Sequence, residues 1–367
     1  MEANLLKREE QAVFALRSLY RKYGYLPYKM SKFEEYEYYI RNKDFLFSDR
    51  VITFNDTNGK LLALKPDVTL SIVKNGEDRP GCKQKVCYNE NVYRVSERTH
   101  RYKEELQAGL ECIGDIDLYD VYEVVSLAAQ SLALISGDFI LEISHLGILS
   151  ALLDGACKDV RFQQEATRYI AGKNAHDLER LCRQYGVDQG RAACLTGFIS
   201  AYGQRDQVLA RLRELCGEAA AGALEELETL SALLDRSPYS GKIIFDFSVV
   251  NNRNYYNGIL FKGFLSGICD GVLAGGQYDK LMEKLERKAG AVGFALYLDL
   301  LEQLPAPKNA YDVDVLLLYG EKTDKAALAE LVEQLVAEGR TVSAQRSIPP
   351  KLRCRELLRM EEEGAPC

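Results

Sequence analysis

Apolar and polar positions alternate along this chain in several distinct ways. From about Leu5 to Lys22 charged and apolar residues recur with helical period, and Gly24 follows as a plausible C-cap, so the chain should open on an amphipathic helix. VITFND and LLALKP flank Thr57-Asn58-Gly59-Lys60, which predicts a β-hairpin with Asn-Gly as its turn signal. Asp67 to Asn75 reads as a short helix begun by an aspartate cap. KVCYNENVYRV and KEELQAGLECIG predict two strands joined by the charged loop SERTHRY. Tyr119 to Ser136 has helical periodicity, and DFILEIS reads as another strand.

From about Ala156 to Ser237 the text changes to Ala, Leu, Glu, Gln and Arg with almost no β-branched runs, which predicts a set of inserted helices. Strands return at GKIIFDFSVV, NYYNGILFKGFL and DGVLAGG, followed by expected helices at YDKLMEKLERK and VGFALYLDLLEQL. After Pro305-Ala306-Pro307, VDVLLLYG, an Ala/Leu/Glu helix and GRTVSAQ should form a small β-α-β unit, with KLRCRELLRMEEEGAPC as a charged, frayed tail. Strands bunched in antiparallel style with helices segregated around them give an α+β core. No internal repeat is visible.

Composition narrows the classes. The 367 residues are enough for one large domain with smaller additions. A hydrophobic fraction of 47% with 28% charged residues is that of a soluble globular protein. No uninterrupted apolar run approaches the roughly 18 residues of a membrane span, and the charged amino terminus is not a signal peptide. Ten cysteines occur singly from Cys82 to Cys367 without a C-x-x-C pair, which fits a reducing cytoplasm and predicts neither zinc nor disulfides. A net charge of −7 speaks against non-specific nucleic-acid binding, which needs clustered Lys and Arg.

Three local patterns carry candidate chemistry. Tyr93-Arg94 and Arg101-Tyr102-Lys103 place cations at the mouth of the predicted hairpin, suited to phosphate or simply to solvent. Gln107, Gly109 and Glu111 share one face of a strand. Turned inward, they would need a cationic or hydrogen-bonding ligand over Gly109; turned outward, they are the wet side of a sheet. Asn254-Tyr255-Tyr256-Asn257-Gly258, Gly275-Gly276-Gln277-Tyr278-Asp279 and Gly290-Ala291-Val292-Gly293-Phe294-Ala295 bring glycines to strand ends, as ligand approach or plain turn punctuation.

In this order, the patterns resemble the core of class II aminoacyl-tRNA synthetases, specifically histidyl-tRNA synthetase, from about residue 5 to 304. YR…RYKEELQAGLECIG resembles motif 2, AVGFALYLDLL motif 3, NYYNGILF the histidine-specific segment, and GGQYDKL the glycine turn that follows it. The resemblance implies a class II synthetase-like antiparallel sheet flanked by helices. It divides the chain into a core at 1–155 and 238–304, a helical insertion at 156–237, and a partial anticodon-binding-like unit with its tail at 310–367. It also implies a histidine pocket made by Asp67, Thr69, Arg94, Gln107, Glu111, Tyr255 and Tyr256, with Arg101 and Lys103 on a residual phosphate side. Asp67 keeps its second reading as a helix cap.

The departures bear on activity. Leu300 stands where the resemblance expects the motif 3 arginine, Asn251 and Asn254 where it expects the arginine of the histidine segment, and Glu105 where it expects a phenylalanine against adenine. The motif 2 loop is one residue shorter, leaving Glu97 out of step, and Ser31 replaces the motif 1 proline. Adenylate formation needs preorganised cations around the triphosphate, so synthetase activity is not expected. A retained histidine pocket with lost ATP arginines resembles the regulatory-subunit family of ATP phosphoribosyltransferase. That family is non-catalytic and joins the short-form catalytic subunit in a hetero-octamer for the first step of histidine biosynthesis. The resemblance then implies L-histidine as feedback effector, self-association as a dimer, no cofactor, and neither tRNA nor membrane as partner. An active histidyl-tRNA synthetase, or another amino-acid-binding pseudo-synthetase, remains the alternative.

Overall fold

The computed structural model describes residues 6–42, 51–76, 81–96, 99–250, 255–305 and 311–360. Glu97, Asn251, Asn254, Ala306, Pro307 and the last residues of the tail lie outside them. The first unit, Met1–Leu304, is built on a nine-stranded sheet, and the second, Pro305–Cys367, on a three-stranded one.

In chain order the first unit begins with α1 (Arg8–Lys22), β1 (Leu26–Pro27), β2 (Phe33–Glu35), α2 (Tyr36–Arg41), β3 (Thr53–Asn55), β4 (Leu61–Leu64) and α3 (Val68–Asn75). Gly24 stops α1 at φ +83, a left-handed conformation that costs glycine little. The hairpin between β3 and β4 turns on Asp56, whose carboxylate accepts from the Asn58 and Lys60 backbone N–H groups, each at 2.8 Å. β2 adds to the same small sheet in the order β2-β4-β3. Asp67 caps α3, accepting from the Leu70 N–H at 2.9 Å.

Two long strands follow, β5 (Lys83–Val95) and β6 (Tyr102–Gly114), paired antiparallel along their whole length. Then come α4 (Leu118–Ile135), β7 (Phe139–His145) and α5 (Leu146–Ala156), the last a helix the sequence pattern did not separate from its neighbours. α4 has 18 residues at a mean hydropathy of 1.3, long and apolar enough by composition to cross a membrane. Here it is a core helix, with 61% of that stretch buried. The inserted segment holds α6 (Val160–Ala171), α7 (Ala175–Gln184), α8 (Gln189–Ile199), the two-residue β8 (Tyr202–Gly203), α9 (Arg205–Leu215) and α10 (Ala221–Leu234). The unit ends with β9 (Ile243–Asp246), β10 (Ile259–Leu265), β11 (Leu273–Gln277), α11 (Asp279–Lys284) and β12 (Gly290–Tyr297).

The large sheet runs β1-β5-β6-β12-β11-β10-β7-β9-β8, antiparallel except at β1·β5 and β7·β9. Within this sheet one expectation fails. VGFALYLDLLEQL is not a helix: its first half is β12, buried between β6 and β11, and only Leu298–Gln303 coils, as a 3₁₀ turn. A strand covered on both faces loses its alternation, so periodicity cannot distinguish it from a buried helix.

The second unit contains β13 (Val313–Leu318), α12 (Lys325–Ala337), β14 (Val342–Gln345) and β15 (Cys354–Arg359). Its sheet is parallel, ordered β14-β13-β15. β15 corrects the expectation of a frayed tail: Arg355 and Arg359 are exposed while Leu358 packs on the small core, so the charges mark an edge strand.

Candidate functional site

The alternation of β6 decides which way the polar triplet faces. Ala108, Leu110 and Cys112 enter the main core, together with buried residues of α1 and α4. Gln107, Gly109 and Glu111 take the opposite face, where they are buried too: Gln107 is 3% exposed and Glu111 1%. The wet-side reading is therefore excluded.

Three neighbouring segments close over this face. Cap residue Asp67 and Thr69 come from the start of α3, Tyr255 and Tyr256 from the segment entering β10, and Tyr278 from the end of β11. All seven expected pocket residues, Asp67, Thr69, Arg94, Gln107, Glu111, Tyr255 and Tyr256, line one cavity. Tyr88, Tyr278 and Tyr297 line it as well. Arg101 and Lys103 do not: Arg101 is exposed, and the Lys103 ammonium pairs with Glu105 at 2.9 Å.

Glu111 is the centre of the hydrogen bonding. The Thr69 hydroxyl donates to its Oε1 at 2.8 Å and the Tyr278 phenol to its Oε2 at 2.6 Å. Gly293 makes room for it, since a Cβ there would stand 1.7 Å from Glu111 Oε2. Gly109 has a different use from the one expected. A Cβ on it would lie 2.5 Å from the Tyr88 phenol oxygen, so the Tyr88 ring, not open ligand space, covers this glycine. The free volume left is about 30 Å³, room for no more than a water or two.

Burial pushes the Glu111 carboxyl up to about 8, against the lowering effect of its two hydrogen bonds and with a smaller upward push from Asp67. Asp67 is raised as well, again by burial, opposed by its backbone bond and by Arg94. Burial lifts the Tyr88, Tyr255, Tyr256 and Tyr278 phenols far above their ordinary value, so all four stay protonated. The Gln107 Nε2 is buried without an acceptor among the described residues. Arg94 donates from Nε to the Pro66 carbonyl at 3.1 Å and reaches Glu105 at 3.4 Å.

Two desolvated carboxyl groups, an amide donor lacking an acceptor and one guanidinium suit a small zwitterion bearing extra N–H groups. A larger hollow of about 1030 Å³ lies around Lys83, Asp115, Asp279 and Lys288. Among the described residues the buried polar atoms without a partner belong to Asn89, Gln107 and Ser144; none of these residues lines the hollow, whereas Gln107 lines the smaller cavity, which is the candidate site. Sequence reasoning left Tyr88 and Tyr278 out of the site. Tyr278 sits inside the quoted Gly275–Asp279 motif, and Tyr88 stands opposite Gly109 in the strand register.

A relative in Oceanobacillus iheyensis named ATP phosphoribosyltransferase regulatory subunit is 29% identical over 310 residues, 83% of this chain and 74% of the relative. The crystal structure of an ATP phosphoribosyltransferase regulatory subunit/histidyl-tRNA synthetase from Bacillus halodurans superposes with a TM-score of 0.76 at 23% identity, covering 96% of this chain and 93% of that one. A chain of the ATP phosphoribosyl transferase complex from Thermotoga maritima matches with a TM-score of 0.63 at 22% identity, covering 79% and 97%. Both likenesses place the large sheet in the class II synthetase fold. The histidyl-tRNA synthetase family model matches residues 3–301, and with the cavity built from that span the chain belongs to the histidyl-tRNA synthetase family.

Proposed function

We propose that this chain is a non-catalytic regulatory subunit of ATP phosphoribosyltransferase, acting with a short catalytic subunit in the cytoplasm and responding to L-histidine. The observation that carries the reading is the Glu111 cluster, a buried carboxyl bracketed by Thr69 and Tyr278 beside Asp67 and the acceptor-seeking Gln107 amide. An imidazole presents N–H to such a carboxyl, an α-ammonium finds Asp67, and an α-carboxylate finds Arg94. The names carried by the relatives support the same role.

Support for the missing synthetase activity comes from the ATP side. Leu300, in place of the expected arginine, packs against the main core. Glu105, at the adenine position, ion-pairs with both Arg94 and Lys103 and neutralises the cations that a triphosphate would need. The division into core, helical insertion and partial anticodon-binding-like unit, the dimer and the hetero-octamer belong to the same proposal. Because free space is small, the tyrosines over Gly109 and Glu111 must shift when a ligand enters.

Calorimetry with L-histidine together with histidine-dependent ATP–pyrophosphate exchange tests the reading. Binding without exchange is the expected pair of results. Exchange at a synthetase-like rate would establish an active histidyl-tRNA synthetase, and absence of binding at millimolar histidine would remove the sensing role.

A further inference from the structure

The pocket tyrosines Tyr255, Tyr256 and Tyr278 hang on two short segments, the entry to β10 and the exit from β11. These are tied to each other twice. Asn257 and Asp279 exchange two hydrogen bonds of 2.8 Å, side chain to side chain and backbone N–H to side chain. The Gln277 carboxamide oxygen accepts from the Ile259 N–H at 2.6 Å. That oxygen fills the place where Gly258 would carry a Cβ, only 2.0 Å from it. Gly258 is gripped from its other side as well, its carbonyl accepting from the Leu146 N–H at 2.9 Å.

The inserted helices reach this clamp through one carboxylate. Glu226, on α10, lies 3.2 Å from the Nε2 of His145, a residue 3% exposed that caps α5. The His145 Nδ1 accepts from the Gly147 N–H at 3.0 Å, so Nε2 carries the proton and donates to Glu226. The Glu226 carboxyl is held low chiefly by His145, with a further lowering from the Gln277 amide. One carboxylate thus joins the insertion to the end of β7, where the next residue, Leu146, holds the Gly258 carbonyl.

We infer that Glu226 is a positioning residue for the pocket, fixing through His145 and the adjoining Leu146–Gly258 bond the two segments that present Tyr255, Tyr256 and Tyr278. The inference rests on the histidine-binding reading given above. It makes the helical insertion part of the ligand site's support although α10 supplies no wall to the cavity. A change in the seating of α10 then reaches Gly258 by way of His145 and Leu146, and from there the Gln277 carboxamide packed against it and the adjoining Tyr278 on Glu111, which is a physical route for coupling the insertion to ligand affinity.

The test measures L-histidine binding to the full chain by calorimetry for wild type, Glu226→Ala, Glu226→Gln, Gln277→Leu and the Glu226→Ala/Gln277→Leu pair. Glu228→Ala serves as control, because Glu228 pairs with Arg213 within the insertion. Expected are about tenfold weaker binding for Glu226→Ala and Gln277→Leu, and a double variant no weaker than either, since both break one chain of contacts. Glu226→Gln keeps an acceptor oxygen and should lose only about threefold. Glu228→Ala should bind as wild type does. Unchanged affinity in a folded Glu226→Ala, additive losses in the pair, or an equal loss in Glu228→Ala overturns the inference while leaving histidine binding intact. If Glu226→Ala does not fold, Glu226→Gln decides, and wild-type affinity there overturns it. A wild-type chain that binds no histidine overturns the functional reading and this inference together.

Discussion

Glu111 concentrates the cost and the use of the pocket in one side chain. Its folded value of about 8 lies well above that of an exposed glutamate. Below the unfolded value of about 4.3 both states hold the proton and the group has no effect on stability. As pH rises through that value the unfolded chain releases its proton while the folded chain keeps it, so stability falls until about pH 8 and then levels. Glu111→Gln removes the penalty. The variant should melt at a higher temperature than wild type at pH 8 to 9 and close to it at pH 4.5, as read by thermal unfolding at each pH. At pH 9, where Glu111 is ionised, the same variant should bind histidine about tenfold more weakly, because a charge-assisted bond of roughly 1.5–3 kcal/mol becomes a neutral one of about 1. A variant destabilised at alkaline pH would show that Glu111 is satisfied as an anion without any ligand. At this scale the sequence told much. The i, i+2, i+4 spacing put Gln107, Gly109 and Glu111 on one face, and the structure buries that face, whereas the role of Gly109 was hidden. Only the pairing of β5 with β6 reveals that Tyr88 covers it.

Between elements, the most demanding contact is the ion pair of Lys65 and Glu90 at 2.8 Å, which joins the loop before α3 to β5. The lysine side chain is 0% exposed and the glutamate 15%, so removing the carboxylate leaves a buried ammonium without its counter-charge. Glu90→Gln should cost about 3–5 kcal/mol in denaturant unfolding. A loss below about 1 kcal/mol, the range of exposed pairs, would mean that the ammonium reaches water after all. The start of α3 was legible at Asp67 because the capping bond is local, whereas α6, α7 and α8, capped at Asp159, Asn174 and Asp188, were read only as a set of inserted helices. β12 was not legible. Gly290–Tyr297 becomes a strand through partners on β6 and β11 far away in sequence, and no local window contains them. β15 was missed for a related reason, since an edge strand with exposed Arg355 and Arg359 is written like a loop.

As a whole, the molecule combines a synthetase-type sheet with a three-stranded parallel unit. β1 lies at the edge of the large sheet and leaves Leu26 67% exposed. We expect a homodimer, twofold closure being the commonest way to cover such a surface, and light scattering at high micromolar concentration should return twice the chain mass. A monomer there would sink the dimer expectation. The central claim concerns control of another enzyme, so it is measured most directly on that enzyme. The rate at which a short ATP phosphoribosyltransferase catalytic subunit joins ATP to phosphoribosyl pyrophosphate should rise when this chain is added, and L-histidine titrated into the mixture should bring it down again. A rate that does not respond to the chain, with or without histidine, would contradict the account.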